Sequence, residues 1–166
     1  MLDLNRLSGT YDVRRMTEDD AEDILAFCRK NAAYYRYCSA EATMEQVRND
    51  LHSAPPGVGP EDKYYVGFFR EGTLTALLDL ADGYPQPDRA FIGFFMMNAD
   101  LQGQQIGTGI IADVCAHLKE TGKTAVRLAY ARDNPQAGHF WQKNGFDTVG
   151  IAPMGTWTAT IAEKKL

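Results

Sequence analysis

The segment that most restricts what this chain can fold into is LQGQQIGTGII, residues 101–111. It follows the apolar, strand-like run AFIGFFMM and opens a run with apolar residues at helical spacing. Gly107 and Gly109 lie within one turn of this predicted helix, where each costs about 1 kcal/mol relative to alanine. Backbone N–H groups at a helix start have no intrahelical partner and favour an anionic ligand. The segment therefore predicts either a phosphate site or a close approach of the helix to a sheet.

The order of the surrounding patterns predicts an α/β protein of the α+β type, with one domain spanning residues 1–166. The Pro- and Gly-rich segment 52–62 is interpreted as a loop, because the part before it is too small to close a core alone. The runs 91–97 and 124–130 are predicted to be parallel, in a mixed, mostly antiparallel central sheet flanked by helices. Predicted strands are 10–16, 63–69, 74–82, 90–97, 125–131, 146–152 and 156–162, and predicted helices are 17–31, 43–51, 106–121 and 134–145.

Charge and composition exclude several classes of partner. Because the net charge is -5, the chain is not expected to bind a nucleic-acid backbone. No apolar run approaches the roughly 18 residues of a membrane span, and the N-terminus has no apolar signal core. The three cysteines show no CxxC spacing and are interpreted as reduced thiols. We therefore expect a cytoplasmic protein with no membrane partner and no metal site, and a homodimer remains open.

Two common phosphate-binding patterns fit the glycine segment poorly. A Walker loop requires GxxxxGK[ST], which the sequence lacks. The run from Gly107 to Ala112 fits the relaxed dinucleotide pattern GxGxxA, but that pattern begins directly after a strand and has an acidic residue about 20 positions later. Here nine residues separate Met97 from Gly107, and position 127 is Arg127. A dinucleotide-binding domain is therefore the weaker interpretation.

The longer run FFMMNADLQGQQIGTGII resembles the coenzyme A-binding segment of the GNAT superfamily of acetyl-CoA-dependent N-acetyltransferases. In that family a strand ends in a splay, and a [QR]-x-x-G-x-[GA] turn wraps the pyrophosphate at a helix N-terminus. Gln102 takes the Gln/Arg position and Gly107 the final glycine, whereas Gln105 stands where the first glycine usually lies. A register beginning at Gln104 also matches. The resemblance implies a GNAT-like fold and these cofactor-binding residues: Phe95, Met96, Met97, Gln102, Gly103, Gln104, Gln105, Ile106, Gly107 and Thr108.

A second run, RDNPQAGHFWQKNGF, is similar to a later motif of the same family. There an asparagine caps a helix beside the pantetheine arm, and an aromatic pair and Gly-Phe follow. Asn134 takes the asparagine position, and Phe140 and Trp141 take the positions of the aromatic pair. Taken alone these residues are typical of a helix cap and core aromatics, but the two motifs in this order and spacing favour the family. The resemblance therefore adds Asn134, Phe140 and Trp141 to the expected coenzyme A site.

The reaction implied by the resemblance is acetyl transfer from acetyl-CoA to a primary amine of a small molecule or peptide, by direct attack. The family polarises the thioester carbonyl with a backbone N–H at the splayed strand, which here corresponds to Met97. Trp141 stands where many members have an acidic tyrosine, and Ala129 where some have a basic glutamate. Neither residue can exchange the required protons. The acceptor, the general base and the general acid are therefore not identified by the motifs.

Other residues of the chain are candidates for proton transfer. Asp79 interrupts the apolar run ALLDLA, so it is either a buried carboxylate with a raised pKa or a carboxylate on the solvated face of a strand. Tyr130 and His139 are further candidates, and the cluster YYRY at 34–37 is a candidate wall of the acceptor pocket. Met97, Asp79 and Tyr130 are therefore the candidate catalytic residues.

Two further expectations follow from the sequence. Because the usual tyrosine and glutamate are absent, a non-catalytic module that binds coenzyme A as a sensor or docking domain is the main alternative function. For the two glycines, we expect Gly107 to face the phosphates and Gly109 to face the sheet. On that basis Gly107→Val abolishes acetyl-CoA binding while the fold survives, and Gly109→Ala perturbs packing.

Overall fold

The fold is organised around one seven-stranded sheet in the order β1-β2-β3-β4-β5-β7-β6. It was obtained as a computed structural model that describes residues 1–38 and 40–166. Only the β4–β5 pair is parallel among the strand pairs of this sheet, which confirms the predicted mixed, mostly antiparallel arrangement. The strands are β1 Asp12–Arg15, β2 Lys63–Arg70, β3 Thr73–Asp82, β4 Arg89–Met97, β5 Ala125–Ala131, β6 Asp147–Met154 and β7 Trp157–Lys165.

Within the described residues five α-helices flank the sheet, and three of them begin close to the predicted positions. The predicted helix 17–31 is wrong in extent: a 3₁₀ turn precedes α1, and α1 ends before Asn31, whose φ of -105° and ψ of 40° break the helix. A short helix that the sequence analysis missed then follows within the tyrosine cluster. The helices are α1 Ala21–Arg29, α2 Ala32–Arg36, α3 Met44–His52, α4 Ile106–Glu120 and α5 Pro135–Lys143.

The two faces of the sheet bury separate clusters of apolar side chains. Because side chains alternate along a strand, Tyr64 packs on the face covered by α4 and α5, while Tyr65 packs on the face covered by α1 and α3. Ile110 and Leu118 of α4 are buried in the first cluster, and Ile24 of α1 is buried in the second. Each helix layer is therefore fixed independently against its own side of the sheet.

Two irregularities near the middle of the sheet create the site. The parallel β4–β5 pairing runs only as far as Ile92 and Leu128, and beyond these residues the two strands separate. On the other side of β4, the register against β3 shifts between Asp79 and Leu80, so that Gly93 is the extra residue of a bulge. The separation leaves a gap between β4 and β5, and the bulge removes side-chain bulk from its wall.

Candidate functional site

A cavity of about 380 Å³ lies in the gap between the ends of β4 and β5. We call its two walls the loop side and the tyrosine side. The loop side contains the cavity-lining residues within 95–108 and 140–143, and the tyrosine side contains those within 30–34 together with Gly93 and Phe94. The cavity lining includes these sequence-predicted residues: Phe95, Met96, Met97, Gln102, Gly103, Gln105, Ile106, Gly107, Thr108, Tyr130, Phe140 and Trp141.

The end of β4 presents main-chain groups to the gap. The backbone N–H of Asn98 donates to the carbonyl of Thr75 on the β3 side at 2.8 Å. Since successive residues of a strand alternate in direction, the N–H and C=O of Met97 point away from β3 and into the gap, while those of Met96 point toward β3. The carbonyl of Met97 accepts a hydrogen bond from Asn31 Nδ2 at 3.2 Å. The Met97 N–H is therefore directed at the cavity.

Two residues of the loop between β4 and α4 have a left-handed backbone conformation. The N-terminal turn of this loop is capped by Asn98, whose Oδ1 accepts from the backbone N–H of Asp100 at 3.0 Å. Gly103 has a φ of 78° and Gln105 a φ of 64°, both in the left-handed region that glycine favours. Gln105 is the position at which the motif usually has glycine. Gln105 therefore keeps the backbone geometry of the motif although it is not glycine, and the left-handed conformation costs it conformational free energy.

The start of α4 has the chemistry of an anion site. The first intrahelical donor is the N–H of Gly109, which bonds to the Gln105 carbonyl at 3.2 Å, so the preceding N–H groups at the helix start are free to bind a ligand. The hydroxyl of Thr108 is buried and has no hydrogen-bond partner within the described residues. The ammonium of Lys143 lies 2.9 Å from Gln105 Oε1 beside this helix start, and the first turn contains no acidic residue. These groups together fit a phosphate.

The expectation that Gly109 faces the sheet is wrong, whereas Gly107 lines the cavity at the helix start. Gly107 is buried, and a Cβ atom there would lie 3.2 Å from the Phe140 ring and 3.3 Å from Met97 Cγ. Gly109 is exposed, and a Cβ atom there would meet nothing within 4 Å. Gly107 therefore permits the close packing of the helix start against the strand end, and Gly109 does not face the sheet. Gly109→Ala is consequently not expected to disturb packing.

The aromatic pair of the second motif forms one wall of the loop side. The Phe140 ring stacks on Phe95 at a centroid distance of 5.8 Å, and Trp141 is buried edge-on against Phe95 and Phe146. Asn134 caps α5 as predicted, since its Oδ1 accepts from the Ala137 N–H at 3.1 Å. Two of the predicted cofactor-binding residues lie outside the cavity lining: Asn134, which lines an adjacent groove, and Gln104, which is exposed.

Asp79 is a part-buried carboxylate on the α1 and α3 face of the sheet, not one on a solvated strand face. Its side chain is 16% exposed, and the ammonium of Lys63 lies 2.6 Å from each carboxylate oxygen. Burial raises the pKa of Asp79 to about 6, against the opposing effect of Lys63. A Cβ atom at Gly93 would lie 3.1 Å from Asp79 Oδ2. The carboxylate therefore lies directly behind Gly93, where the cavity wall has no side chain on this face of the sheet.

Asp79 is not part of the cavity lining, and it lies at a different level along the strands from the Met97 N–H. Asp79 is paired with Phe94, three residues before Met97, which corresponds to about 10 Å along the strand. Tyr130 lies on β5 beyond the point of separation, with its ring against α5 near Gly138. The gap between β4 and β5 therefore has the Tyr130 phenol on one face, and the Asp79 carboxylate of β3 lies behind Gly93 on the other.

Aromatic rings lie on the tyrosine side and directly behind it. Tyr34 lines the cavity and meets Phe94 edge-on at a centroid distance of 5.7 Å, and Tyr65 stacks on Phe94 at 6.3 Å. Burial raises the pKa of Tyr34 above its usual range, so its hydroxyl stays protonated at neutral pH. Tyr35 packs behind Tyr34, while Tyr37 is not part of the cavity lining.

Several residues of the site were missed by the sequence analysis. Asn31, Lys63 and Gly93 belong to the cavity wall or to the residues directly behind it. A glycine inside a strand pattern often marks a bulge, so Gly93 offered a signal. Lys63 and Asn31 offered none, because their roles depend on contacts with residues 16 and 66 positions away.

Neither a metal site nor a membrane-spanning helix is found over residues 1–38 and 40–166. In that part of the chain, no group of three His, Cys, Asp or Glu side chains is arranged to hold a metal ion. Over the same residues, every helix is too short or too polar to cross a bilayer.

Known proteins resemble this chain in sequence pattern and in fold. The sequence profile of the acetyltransferase (GNAT) family matches residues 22–146. No curated protein sequence matches the chain. Among solved structures, an acetyltransferase from Thermus thermophilus is similar with a TM-score of 0.78 and 24% identity, covering 95% of this chain and 97% of that one.

Two further solved structures share the fold. The PaiA N-acetyltransferase from Thermoplasma acidophilum, solved in complex with coenzyme A, has a TM-score of 0.69 and 20% identity, with 95% of this chain and 99% of that one covered. The structure of AAC(6')-Ib in complex with ribostamycin and coenzyme A has a TM-score of 0.72 and 16% identity, with 94% and 93% covered. The TM-scores of these structures show that they share the fold of this chain.

Proposed function

The chain belongs to the GNAT family of acetyltransferases, and from this premise we propose that it transfers the acetyl group of acetyl-CoA to a primary amine of a small molecule or peptide. The observation that carries the proposal is the joint orientation of the Met97 N–H and the free N–H groups of α4 toward one cavity. One end of that cavity has groups for a phosphate and the other end has aromatic rings, with the Asp79 carboxylate behind Gly93 at that end.

Coenzyme A is assigned to the loop side. The N–H groups at the start of α4, the Thr108 hydroxyl and the Lys143 ammonium suit its pyrophosphate. The remaining loop residues, Gln102, Gly103, Gln104, Gln105, Ile106 and Gly107, shape this cradle, and Phe95, Met96, Met97, Asn134, Phe140 and Trp141 border the path of the pantetheine arm. Two solved structures of the same fold were determined with coenzyme A, which supports this assignment.

The Met97 N–H is assigned to the thioester. When bound, acetyl-CoA supplies an activated acetyl group whose carbonyl oxygen gains negative charge during attack. A fixed backbone donor directed at that oxygen stabilises the developing charge without any reorganisation. Met97 is suited to this task because its N–H faces the gap and its carbonyl is already held by Asn31.

Asp79 is assigned as the general base and Tyr130 as the general acid. An amine attacks only when it is neutral, so an amine with a pKa near 10 first gives up one proton to solvent. As the C–N bond forms, the nitrogen becomes acidic, and it gives its second proton to Asp79, which has a pKa of about 6 and is ionised at neutral pH, through the space left by Gly93. As the C–N bond forms and the C–S bond breaks, Tyr130 protonates the departing sulfur. The separation between Asp79 and Met97 leaves room for the amine and for water.

One observation favours the alternative of a non-catalytic coenzyme A sensor. Trp141 is packed into the core and Ala129 has no polar group, so the positions used by many relatives for acid and base are inert here. In that case the loop side binds coenzyme A, while the tyrosine side receives no substrate.

Two measurements on the full chain test the proposal. Acetyl-CoA in excess of its dissociation constant is expected to raise the melting temperature, since a ligand bound only by the folded state stabilises it. A panel of small amines, polyamines and peptides is then assayed for release of free thiol. Release above the hydrolysis background supports acetyl transfer, and binding without release on any amine supports the sensor. A melting shift with NAD or FAD but not acetyl-CoA would overturn both.

A further inference from the structure

Asn31 occupies the junction between α1 and α2 and reaches into the gap between β4 and β5. The residue is 8% exposed, and both polar atoms of its side-chain amide are in use. Nδ2 donates to the carbonyls of Phe27 and Met97, each at 3.2 Å, and Oδ1 accepts from Gln102 Nε2 at 2.7 Å. One buried side chain therefore joins the end of α1, the end of β4 and the loop before α4.

The connection continues across the loop side. Gln102 Oε1 accepts from Gln136 Nε2 of α5 at 3.4 Å. The hydrogen-bonded chain thus runs from the tyrosine side, through Asn31 and Gln102, to the helix that carries Phe140. Asn31 is the member that also holds the main chain of Met97.

We propose that Asn31 is a positioning residue for acetyl transfer, which fixes the Met97 peptide and Gln102 in their working arrangement and so ties the tyrosine side to the loop side. The proposal rests on the proposed function, because Met97 and Gln102 matter through the acetyl-CoA that they are assigned to bind. Asn31 touches no reacting atom. It acts by holding the groups that do.

Loss of the amide leaves buried groups without partners. In Asn31→Ala, the Met97 carbonyl and the Gln102 amide both lose a hydrogen bond inside a part-buried site, where unpaired polar groups are costly. The strand end is then free to rotate, and its N–H no longer points reliably at one position. A misplacement of about 1 Å can reduce catalysis by about 10²-fold. In Asn31→Asp, a carboxylate oxygen faces the two carbonyls and repels them.

Asn144 provides a matched control. It is also 8% exposed, and its Nδ2 donates to the carbonyl four residues earlier, that of Phe140, at 2.7 Å, as Asn31 does to Phe27. It is not part of the cavity lining. Asn144→Ala therefore removes the same kind of helix-end contact without touching Met97 or Gln102.

The first test compares kcat at saturating acetyl-CoA and amine, corrected for the folded fraction. We expect Asn31→Ala and Asn31→Asp to lower kcat by roughly tenfold or more, while Asn144→Ala lowers the melting temperature and keeps kcat within about twofold. A loss of melting temperature without a loss of kcat in both Asn31 variants would overturn the proposal, since a purely structural role predicts that result.

The second test needs no turnover and therefore separates this proposal from the proposed function. Calorimetric dissociation constants for coenzyme A are measured for Asn31→Ala, Gln102→Ala and the double variant. Because the two side chains share one hydrogen bond, the double variant is expected to lose no more affinity than the more impaired single variant. Independent, multiplicative losses would overturn the link between Asn31 and Gln102, even if the wild-type protein acetylates no amine.

Discussion

The two sides of the cavity are built in different ways. The loop side is formed largely by one continuous segment, residues 95–108, and its polar groups are mostly main-chain N–H groups and a helix start. The tyrosine side joins the α1–α2 junction to Gly93 and Phe94 of β4, and side chains of β2 and β3, including the paired Asp79 and Lys63, pack directly behind it. A backbone site tolerates sequence change as long as the backbone keeps its course, whereas a side-chain site depends on particular residues. The two sides should therefore respond differently to substitution.

The largest expected effect is on the tyrosine side. In Asp79→Asn the general base is lost, and kcat is expected to fall by about 10²–10⁴-fold while the dissociation constant of acetyl-CoA stays within about twofold. Steady-state kinetics and calorimetry on the same preparation measure the two quantities. Asp113, on the outer side of α4 where it accepts from Ser8, serves as the matched control in Asp113→Asn. Full activity in Asp79→Asn would remove Asp79 from the mechanism.

On the loop side, a side chain at position 107 is expected to affect folding as well as binding. In Gly107→Val the new atoms meet Phe140 and Met97 at 3.2–3.3 Å, so the free energy of unfolding should fall by about 1–3 kcal/mol and acetyl-CoA affinity should fall with it. This revises the simpler expectation that the fold survives intact. Gly109→Ala, which meets open space, is expected to raise the unfolding free energy by up to about 1 kcal/mol. Chemical denaturation measures the unfolding free energy of both variants. A larger loss in Gly109→Ala than in Gly107→Val would contradict the packing described for Gly107.

The pH dependence of kcat is a smaller expected effect, and it depends on the tyrosine side through Asp79. Because Asp79 must be ionised to act, kcat is expected to rise with pH through about 6. Lys63 lowers the pKa of this carboxyl, so in Lys63→Met the rise moves to higher pH and kcat at pH 6.5 falls by roughly three- to tenfold. A pH profile of kcat that is the same in both proteins would show that Asp79 does not limit the rate.

The raised pKa of Asp79 also makes stability depend on pH. Stability is expected to fall with rising pH, whereas kcat is expected to rise. The pKa of Asp79 is higher in the folded chain than in an unfolded one, so the folded state binds the proton more tightly between about pH 4 and 6. The contribution of Asp79 to stability therefore falls as pH rises through this window. Asp79→Asn should lack this fall when the unfolding free energy is compared at pH 4 and 6.5.

The smallest expected effect is a gain on the loop side. Gln105 has a φ of 64°, so Gln105→Gly should relieve a left-handed strain, and after the entropy of glycine is subtracted it should raise the unfolding free energy by about 0.5–1 kcal/mol. The neighbouring Gln104 does not have a positive φ, so Gln104→Gly is the control and should not raise the unfolding free energy. A loss of stability in Gln105→Gly as large as in the control would argue against the strained backbone.

The difference in construction between the two sides also explains which features could be predicted from the sequence. The order of strands, the parallel β4–β5 pair and the helix start at Ile106 follow from local patterns of apolar residues and glycine, and they are confirmed. The helix α2 was missed because five residues are too few to show helical periodicity, although Asn31, a residue type favoured at N-caps, precedes it. The expectation that Gly109 faces the sheet is wrong, since the spacing of two glycines does not fix which side of the helix each one occupies.

The tyrosine side was harder to predict because its contacts are long-range. The sequence offered Asp79 as one of two alternatives, and only the fold brings Lys63 to 2.6 Å from its carboxylate. The bulge at Gly93 shifts the strand register, and this shift places the carboxylate behind the cavity wall. Asn31 carried no local signal at all, although it holds the end of β4.

The most direct test of the division between the two sides is an amide NMR titration of the wild-type protein with acetyl-CoA alone. We predict the largest chemical-shift changes at Met97 and at Ile106, Gly107 and Thr108, and small changes at Tyr65 and Asp79. Addition of an amine that is acetylated should then shift the second group. Acetyl-CoA shifts centred on Tyr65 and Asp79, or on the groove beside Arg132 and Gln142, would contradict this division.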